Sequence, residues 1–289
     1  PLSHKMKGLL VVNGFIKSQK FLQLYTFFEN GAKKLGIQLQ RTTTDALCCK
    51  SDGQLAEINA DFILFWDKDV FLAYRLENAG HKVFNGAKAI ALCASKILTC
   101  LALKGKVPMP PTLFAPKTFE GVGYPDTGFV SKAAEELGLP LVIKQAYGSF
   151  GQQVYLAKSV REAQNVVTRF AGKDMLFQRY EECGGSDIRI NVVGGKVINA
   201  LRRQSNGDFR SNVTLGGSMT EVEPTPEQKR IALTATETLG LHFAGVDILP
   251  APEGDVLCEV NSNMHFKSTF DCTGTDLSQI ILQHVQKVI

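Results

Sequence analysis

Apolar residues in the first third of the chain come in short runs separated by polar segments. Residues 7–12 form one such run, closed by Asn13-Gly14, and 21–35 then carry apolar side chains at helical spacing up to Gly36. Further short runs at 37–41, 62–65 and 83–84 flank a helical stretch at 70–78. Strands alternating with helices in this way predict an open, mostly parallel sheet. A helix over 87–104 leads into Pro108-Met109-Pro110-Pro111, where three prolines end any helix and stiffen the connection. The end of the first lobe is placed at residue 88, so that the domains expected are 1–88, 89–173 and 174–289.

The pattern then predicts a helix at 131–137, a strand at 141–144, a glycine-containing turn, a strand at 152–157 and a helix at 159–170. Ser159 with Glu162 three residues later is a capping-box pattern for that last helix. Strands follow at 175–178, 188–193 and 196–203, and the two-residue turn Gly194-Gly195 makes the latter pair a hairpin. A helix at 226–239, strands at 245–249 and 256–260, and a closing helix complete the chain, with neither an internal repeat nor a low-complexity tract.

Composition narrows the function classes. The chain has 289 residues, 44% hydrophobic and 21% charged, which is enough to bury a core in two or three lobes. Its net charge of +4 comes from 32 basic residues spread along the sequence, too mild a balance to point to nucleic acid. Seven cysteines without CxxC spacing indicate neither a disulfide framework nor a zinc site, so a reducing, cytoplasmic setting is expected. No apolar run approaches the roughly 20 residues of a membrane span, and the first residues lack a charged-then-apolar leader pattern.

Among residues able to carry chemistry, Asp247 on one strand and Glu259 with Asn261 on the next stand out, because residues two apart on a strand share a face. Taken singly they are ordinary surface or turn residues. Their neighbours Val246, Ile248, Leu257 and Val260 imply buried strands, in which carboxylates need a compensating partner. Three oxygen donors suit Mg²⁺ and leave room for phosphate ligands.

Lys144 is followed by Gly148-Ser149-Phe150-Gly151, a cation beside a loop of backbone amides that suits phosphate, but the spacing does not fit GxxxxGK(S/T) and by itself favours a plain hairpin. Arg202, Arg203 and Arg210 surround Ser205-Asn206-Gly207-Asp208, either an oxyanion-binding cluster or a solvated hairpin tip. Gly121-Val122-Gly123 is no dinucleotide fingerprint, since Asp126 stands where the third glycine belongs. No nucleophile signature is present, and of the five histidines only His265, four residues after Asn261, lies near the candidate cluster.

Taken in order, these pieces resemble an ATP-grasp enzyme, and from Ala89 onward the RimK-like glutamate ligases in particular. The string from Arg202-Arg203 through Gly207-Asp208-Phe209-Arg210-Ser211-Asn212 carries the resemblance most specifically, with Ala244-Gly245-Val246-Asp247-Ile248-Leu249 and Glu259-Val260-Asn261 beside it. The resemblance implies an α/β chain in which two α+β lobes clamp ATP, preceded by a Rossmann-like α/β lobe that matches in architecture only. It implies that Lys96, Lys144 and Arg210 contact phosphates, with Arg203, Ser211 and Asn212 beside them, and that Arg203 and Arg210 assist catalysis. Gln178-Arg179-Tyr180-Glu181 would receive adenine at the hinge and Asp187 the ribose, while Asp247, Glu259 and Asn261 would hold one or two Mg²⁺ (or Mn²⁺) ions.

The activity implied is ATP-dependent ligation of a carboxylate to an amine through an acyl phosphate. The amine would be an amino acid such as glutamate, the acceptor a peptide, protein tail or small molecule, and the enzyme a homo-oligomer with no nucleic-acid or membrane partner. Two departures stand out. Arg179 replaces the acidic residue usual at the hinge, and Ser262-Asn263-Met264-His265 replaces a small residue followed by Pro-Gly on the acceptor side. The alternatives are a non-catalytic ATP-binding scaffold, which the altered loop favours and the intact metal set opposes, and a kinase on the same fold.

Overall fold

The structure, a computed structural model, describes residues 5–47, 57–149, 151–209 and 217–289. Its first lobe contains β1 (Lys7–Val12), α1 (Gln19–Lys34), β2 (Gln38–Thr43), β3 (Phe62–Trp66), α2 (Val70–Asn78) and β4 (Val83–Phe84). The strands run in the order β2-β1-β3-β4, every pair parallel, as the alternation of strand and helix predicts. Phe62 to Trp66 are all buried, the continuous apolar run expected of a strand covered on both faces.

Two helices follow where the sequence pattern predicts one. α3 (Ala87–Ala94) and α4 (Lys96–Leu103) are separated at Ser95, whose φ of −106° and ψ of 117° are extended and whose Oγ accepts from the Leu98 amide at 3.3 Å. The reason is tertiary: the Lys96 amide donates to Ala146 O at 2.8 Å, which takes it out of any continuous helix and sets Lys96 at the first turn of α4. Both helices contribute Ala89, Cys93 and Leu103 to the core beneath the C-terminal sheet.

The central sheet has the order β5-β8-β6-β7, all antiparallel, from β5 (Thr112–Phe114), β6 (Leu141–Gln145), β7 (Val154–Ala157) and β8 (Met175–Arg179). Its core is closed by α5 (Gly128–Leu137) and α6 (Val160–Arg169). Half of the expected capping box forms: Ser159 Oγ accepts from the Glu162 amide, but the Glu162 carboxylate accepts from Lys158 N rather than from Ser159.

The C-terminal sheet is antiparallel in the order β11-β10-β9-β12-β13, formed by β9 (Ser186–Val193), β10 (Lys196–Gln204), β11 (Ser218–Glu221), β12 (Phe243–Ala251) and β13 (Gly254–Asn261). Gly194 and Gly195 take φ of 58° and 71°, the paired positive values that a two-residue hairpin turn needs. α7 (Pro226–Leu239) packs beneath, held by a reciprocal capping box between Thr225 and Gln228 that the sequence reading did not single out. The short edge strands β5 and β11 were not expected either.

The chain ends with α8 (Lys267–Thr273) and α9 (Leu277–Val288). α9 buries Leu277, Ser278, Ile281, Leu282 and Val285, and α1 buries Leu24, Tyr25, Phe28, Gly31 and Ala32, one helical stripe on each. These two stripes meet, so the C-terminal helix completes the core of the N-terminal lobe. A Cβ on Gly31 would stand 3.0 Å from Ser278 Oγ, which explains a small residue there.

Asn85 joins that lobe to the C-terminal sheet. Its Nδ2 donates to Phe243 O and Ser262 O at 2.9 and 3.0 Å, and its Oδ1 accepts from His242 N at 2.8 Å. Among the described residues, no helix is long and apolar enough to cross a membrane, and every described cysteine is a free thiol.

Candidate active site

The sheets enclose a cavity of about 380 Å³ lined from all three sides: Trp66 and Lys68 from the first lobe, Lys144 and Gln178 from the central sheet, Asp247 and Glu259 from the C-terminal sheet. One row of charged side chains crosses its floor. Register places Arg203 opposite Asp187, Arg189 opposite Asp247, and Asp247 opposite Glu259, on four consecutive strands. Strand alternation turns the members of this row to one face.

Asp247 is almost fully buried and accepts from both arms of a guanidinium: Arg189 Nε bonds its Oδ1, and an Arg189 terminal nitrogen bonds its Oδ2 at 2.8 Å. Arg203 comes within 3.0 Å of the same Oδ2, while its Nε donates to Asp187 Oδ1 at 2.7 Å. Burial alone would push the Asp247 carboxyl up, but Arg189 and Arg203 outweigh it and hold the group below the usual carboxylate range. Asp187, the expected ribose contact, is thus a bidentate partner of Arg203 in this structure.

Asn261 Nδ2 lies 3.4 Å from Asp247 Oδ2 and 3.5 Å from Gly245 O, which leaves its amide oxygen for another partner. With Glu259 this gives two carboxylates and one amide oxygen. Among the described residues no group of three or more His, Cys, Asp and Glu side chains could hold a metal, so a cation here depends on ligands from phosphate and water as well. Hard oxygen donors in that small number fit Mg²⁺ or Mn²⁺, and Asp247 Oδ1, bonded by Arg189 alone among the described partners, retains a lone pair for a cation.

Two lysines face this row. Lys96 Nζ is 3.9 Å from Glu259 Oε1 and 3.4 Å from Gly148 O, and Lys144 lies buried on β6. Burial pushes the Lys96 ammonium down, Glu259 pulls it back up, and Lys144 and Lys68 push it down again. An anionic ligand between the two lysines relieves that repulsion. The loop after β6 also reaches the first lobe, where Lys68 Nζ donates to Ser149 Oγ at 2.9 Å.

At the far end of β8, Gln178, Arg179, Tyr180 and Glu181 all line the cavity. Gln178 Nε2 donates to Thr112 Oγ1 at 3.0 Å, and Arg179 bridges Glu181 and Glu253 at 3.1 and 3.2 Å. Arg179 therefore has acidic partners on either side. Arg210, Ser211 and Asn212 lie outside the described residues.

Profile comparison matches residues 100–285 to the RimK-like ATP-grasp domain. The chain belongs to the RimK-like ATP-grasp family. A curated relative, the probable alpha-L-glutamate ligase of Marinomonas sp. (strain MWYL1), is 40% identical over 179 residues. That match covers 58% of this chain and 60% of the relative, so the chain spans less than two thirds of that protein. Solved structures share the fold at low identity. The RimK domain protein ATP-grasp from Sphaerobacter thermophilus has a TM-score of 0.74 at 18% identity, covering 96% of this chain and 99% of its own. D-alanine–D-alanine ligase from Bacillus anthracis, complexed with ATP, has 0.72 at 16%, covering 98% and 96%. These likenesses run through the first lobe, so the ATP-grasp fold with a preceding α/β lobe describes the whole chain.

Two hydrogen bonds to Asp247 make Arg189 the main residue that sequence reasoning passed over. Its signal was present, since Asp187 and Arg189 are two apart on one strand and share a face. The first-lobe wall, by contrast, left no such signal: Lys20, Phe21, Asp67 and Lys68 reach the cavity only because the lobes pack together.

Proposed function

We propose that the protein is an ATP- and Mg²⁺-dependent carboxylate–amine ligase. The observation that carries this reading is the set Arg203, Arg189, Asp247 and Glu259, backed by Asp187 behind Arg203, with Lys96 and Lys144 lining the same cavity. It combines fixed cations, which stabilise charge spread over transferring phosphoryl oxygens, with oxygen donors for a cation, a combination whose chemistry requires no protein nucleophile. Mg²⁺, when bound at Asp247, Glu259 and Asn261, supplies charge neutralisation at the phosphates.

The chain's own residues then act as holders. Lys96 and Lys144 take phosphate oxygens, Gln178 to Glu181 receive the base, and Arg203 with Arg210 steady the charge that develops during transfer. The substrate carboxylate oxygen attacks the γ-phosphorus and the bond to ADP breaks. The amine nitrogen then attacks the acyl carbon, and phosphate leaves with its electron pair. The net change is carboxylate plus ammonium plus ATP to amide, ADP, phosphate and one proton. The name of the curated relative supports glutamate as a substrate; in this reading it is the amine, delivered to a peptide, protein tail or small molecule, with the cytoplasm as the proposed setting.

The test is incubation with ATP, Mg²⁺, a panel of carboxylates and hydroxylamine, with identification of nucleotide and hydroxamate. ADP with hydroxamate, both lost in Asp247→Asn, supports ligation by way of an acyl phosphate. AMP as product refutes it, and bound ATP without turnover across the panel puts a nucleotide-binding scaffold in its place.

A further inference from the structure

The three lobes meet at one dipeptide. Asp67 and Lys68 lie just past β3, on the loop that leads into α2. The Asp67 carbonyl accepts from Asn263 Nδ2 of the C-terminal lobe at 2.8 Å, and Lys68 Nζ donates to Ser149 Oγ of the central lobe at 2.9 Å. Both ends of this loop are fixed. Trp66 is buried against Phe28 and Phe243, and the Asp69 carboxylate caps α2 by accepting from the Leu72 amide at 3.0 Å. The backbone at Lys68 is thereby held, and its ammonium crosses to the segment after β6 from a set position.

On its other side that segment is held by α4. The Lys96 amide donates to Ala146 O at 2.8 Å, and Lys96 Nζ lies 3.4 Å from Gly148 O. Both contacts end on backbone carbonyls, so the Ser149 side chain takes its direction from Lys68. Ser149 lines the cavity together with Lys68, Lys96 and Lys144, where three ammonium groups favour an anion. A hydroxyl carries one hydrogen and two lone pairs, and an ammonium can only donate. The bond from Lys68 therefore occupies a lone pair of Ser149 Oγ and leaves its hydrogen to donate to a ligand oxygen.

We infer that Lys68 is a positioning residue for the nucleotide: it turns the Ser149 hydroxyl toward the phosphates of ATP and holds the central lobe against the first lobe around them. The inference rests on the ligase reading, and it gives the first lobe a part in nucleotide binding.

Calorimetric titration of the full chain, in Mg²⁺, with a non-hydrolysable ATP analogue and with AMP, which lacks the β- and γ-phosphates, tests it. Lys68→Met and Ser149→Ala should each weaken the analogue about tenfold and leave AMP unchanged, the lower end for a charged hydrogen bond because Lys68 is exposed. The double variant should bind no more weakly than Ser149→Ala alone, since Lys68 acts through that hydroxyl. Lys68→Arg keeps a donor and should stay within about threefold of wild type. Wild-type affinity for the analogue in Lys68→Met or in Ser149→Ala, an equal loss for AMP, or losses that multiply in the double variant overturns the inference; the last result would put Lys68 on the phosphates directly. Should Lys68→Met not fold, Lys68→Ala is read in its place, and Ser149→Ala decides by itself if neither folds. The hydroxamate assay separates the two claims: the expected binding pattern without turnover removes the ligase and keeps the role of Lys68, whereas turnover with unchanged affinity in Lys68→Met does the reverse.

Discussion

Replacing Asp247 by Asn preserves its shape and removes the charge that two buried guanidiniums share. Arg203 keeps its bonds to Asp187 at 2.7 and 2.5 Å, so the loss falls chiefly on Arg189, only 12% exposed and paired with Asp247 through both arms. Breaking a buried pair from one side costs about 3–5 kcal/mol. With Arg203 still compensated and one acceptor oxygen retained, the lower end, roughly 3 kcal/mol, is expected. Urea unfolding followed by circular dichroism measures it.

Adding Arg189→Met to the Asp247→Asn variant should recover a large part of the loss, giving a coupling of about 2 kcal/mol in the double-mutant cycle. The deficit should also depend on pH in a defined direction. Asp247 has a folded pKa below its unfolded value, so its contribution is full above about pH 4 and disappears as the pH falls below that. A loss under about 1 kcal/mol, or simple additivity of the two substitutions, would refute the view that Asp247 and Arg189 form one unit.

Lys96→Met removes a cavity-lining cation proposed to hold phosphate and should weaken ATP binding by roughly 10- to 100-fold in a calorimetric titration, as expected for a lost charge-assisted hydrogen bond. Gly245→Ala places a Cβ 2.9 Å from the Met264 Cβ and 3.1 Å from the Arg189 side chain, so stability should drop by about 1–3 kcal/mol and turnover with it. Asn85→Ala leaves the polar groups of Phe243, Ser262 and His242 unpaired at the lobe junction, and chemical denaturation should record a loss of roughly 2–4 kcal/mol. His265 has a folded pKa of about 4 against an unfolded value near 6.5, so wild type should lose roughly 2–3 kcal/mol relative to His265→Gln as pH falls from 7 to 4. An equal pH dependence in the two chains would remove His265 from that account.

Much of the fold was legible because it rests on local pattern. The buried run Phe62 to Trp66, the stripe of α1 and the Gly194-Gly195 turn each need only neighbouring residues to specify them. The strand pair carrying Asp247, Glu259 and Asn261 was legible for the same reason: alternation puts Glu259 and Asn261 on one face, and apolar neighbours imply burial. What period and composition left open was partnership. Nothing local distinguishes a helix continuing through Ser95 from one broken there, because the bond from Lys96 N to Ala146 O joins segments 50 residues apart in sequence. The edge strands β5 and β11 are likewise too short to show a period, and they exist because a neighbouring strand offers its free hydrogen-bonding edge.

The site divides along the same line. Sequence alone determined which residue types were available, two lysines, an arginine-rich hairpin and a set of hard oxygen donors, because chemistry is a property of side chains. Tertiary structure decided how they pair. It set Arg189 and Arg203 on Asp247, brought Lys96 to within 3.9 Å of Glu259, and closed the cavity with Lys20 and Asp67 of the first lobe. Electrostatic and hydrogen-bonding partners are chosen by distance, and distance between remote segments is fixed only when the cores of all three lobes pack together.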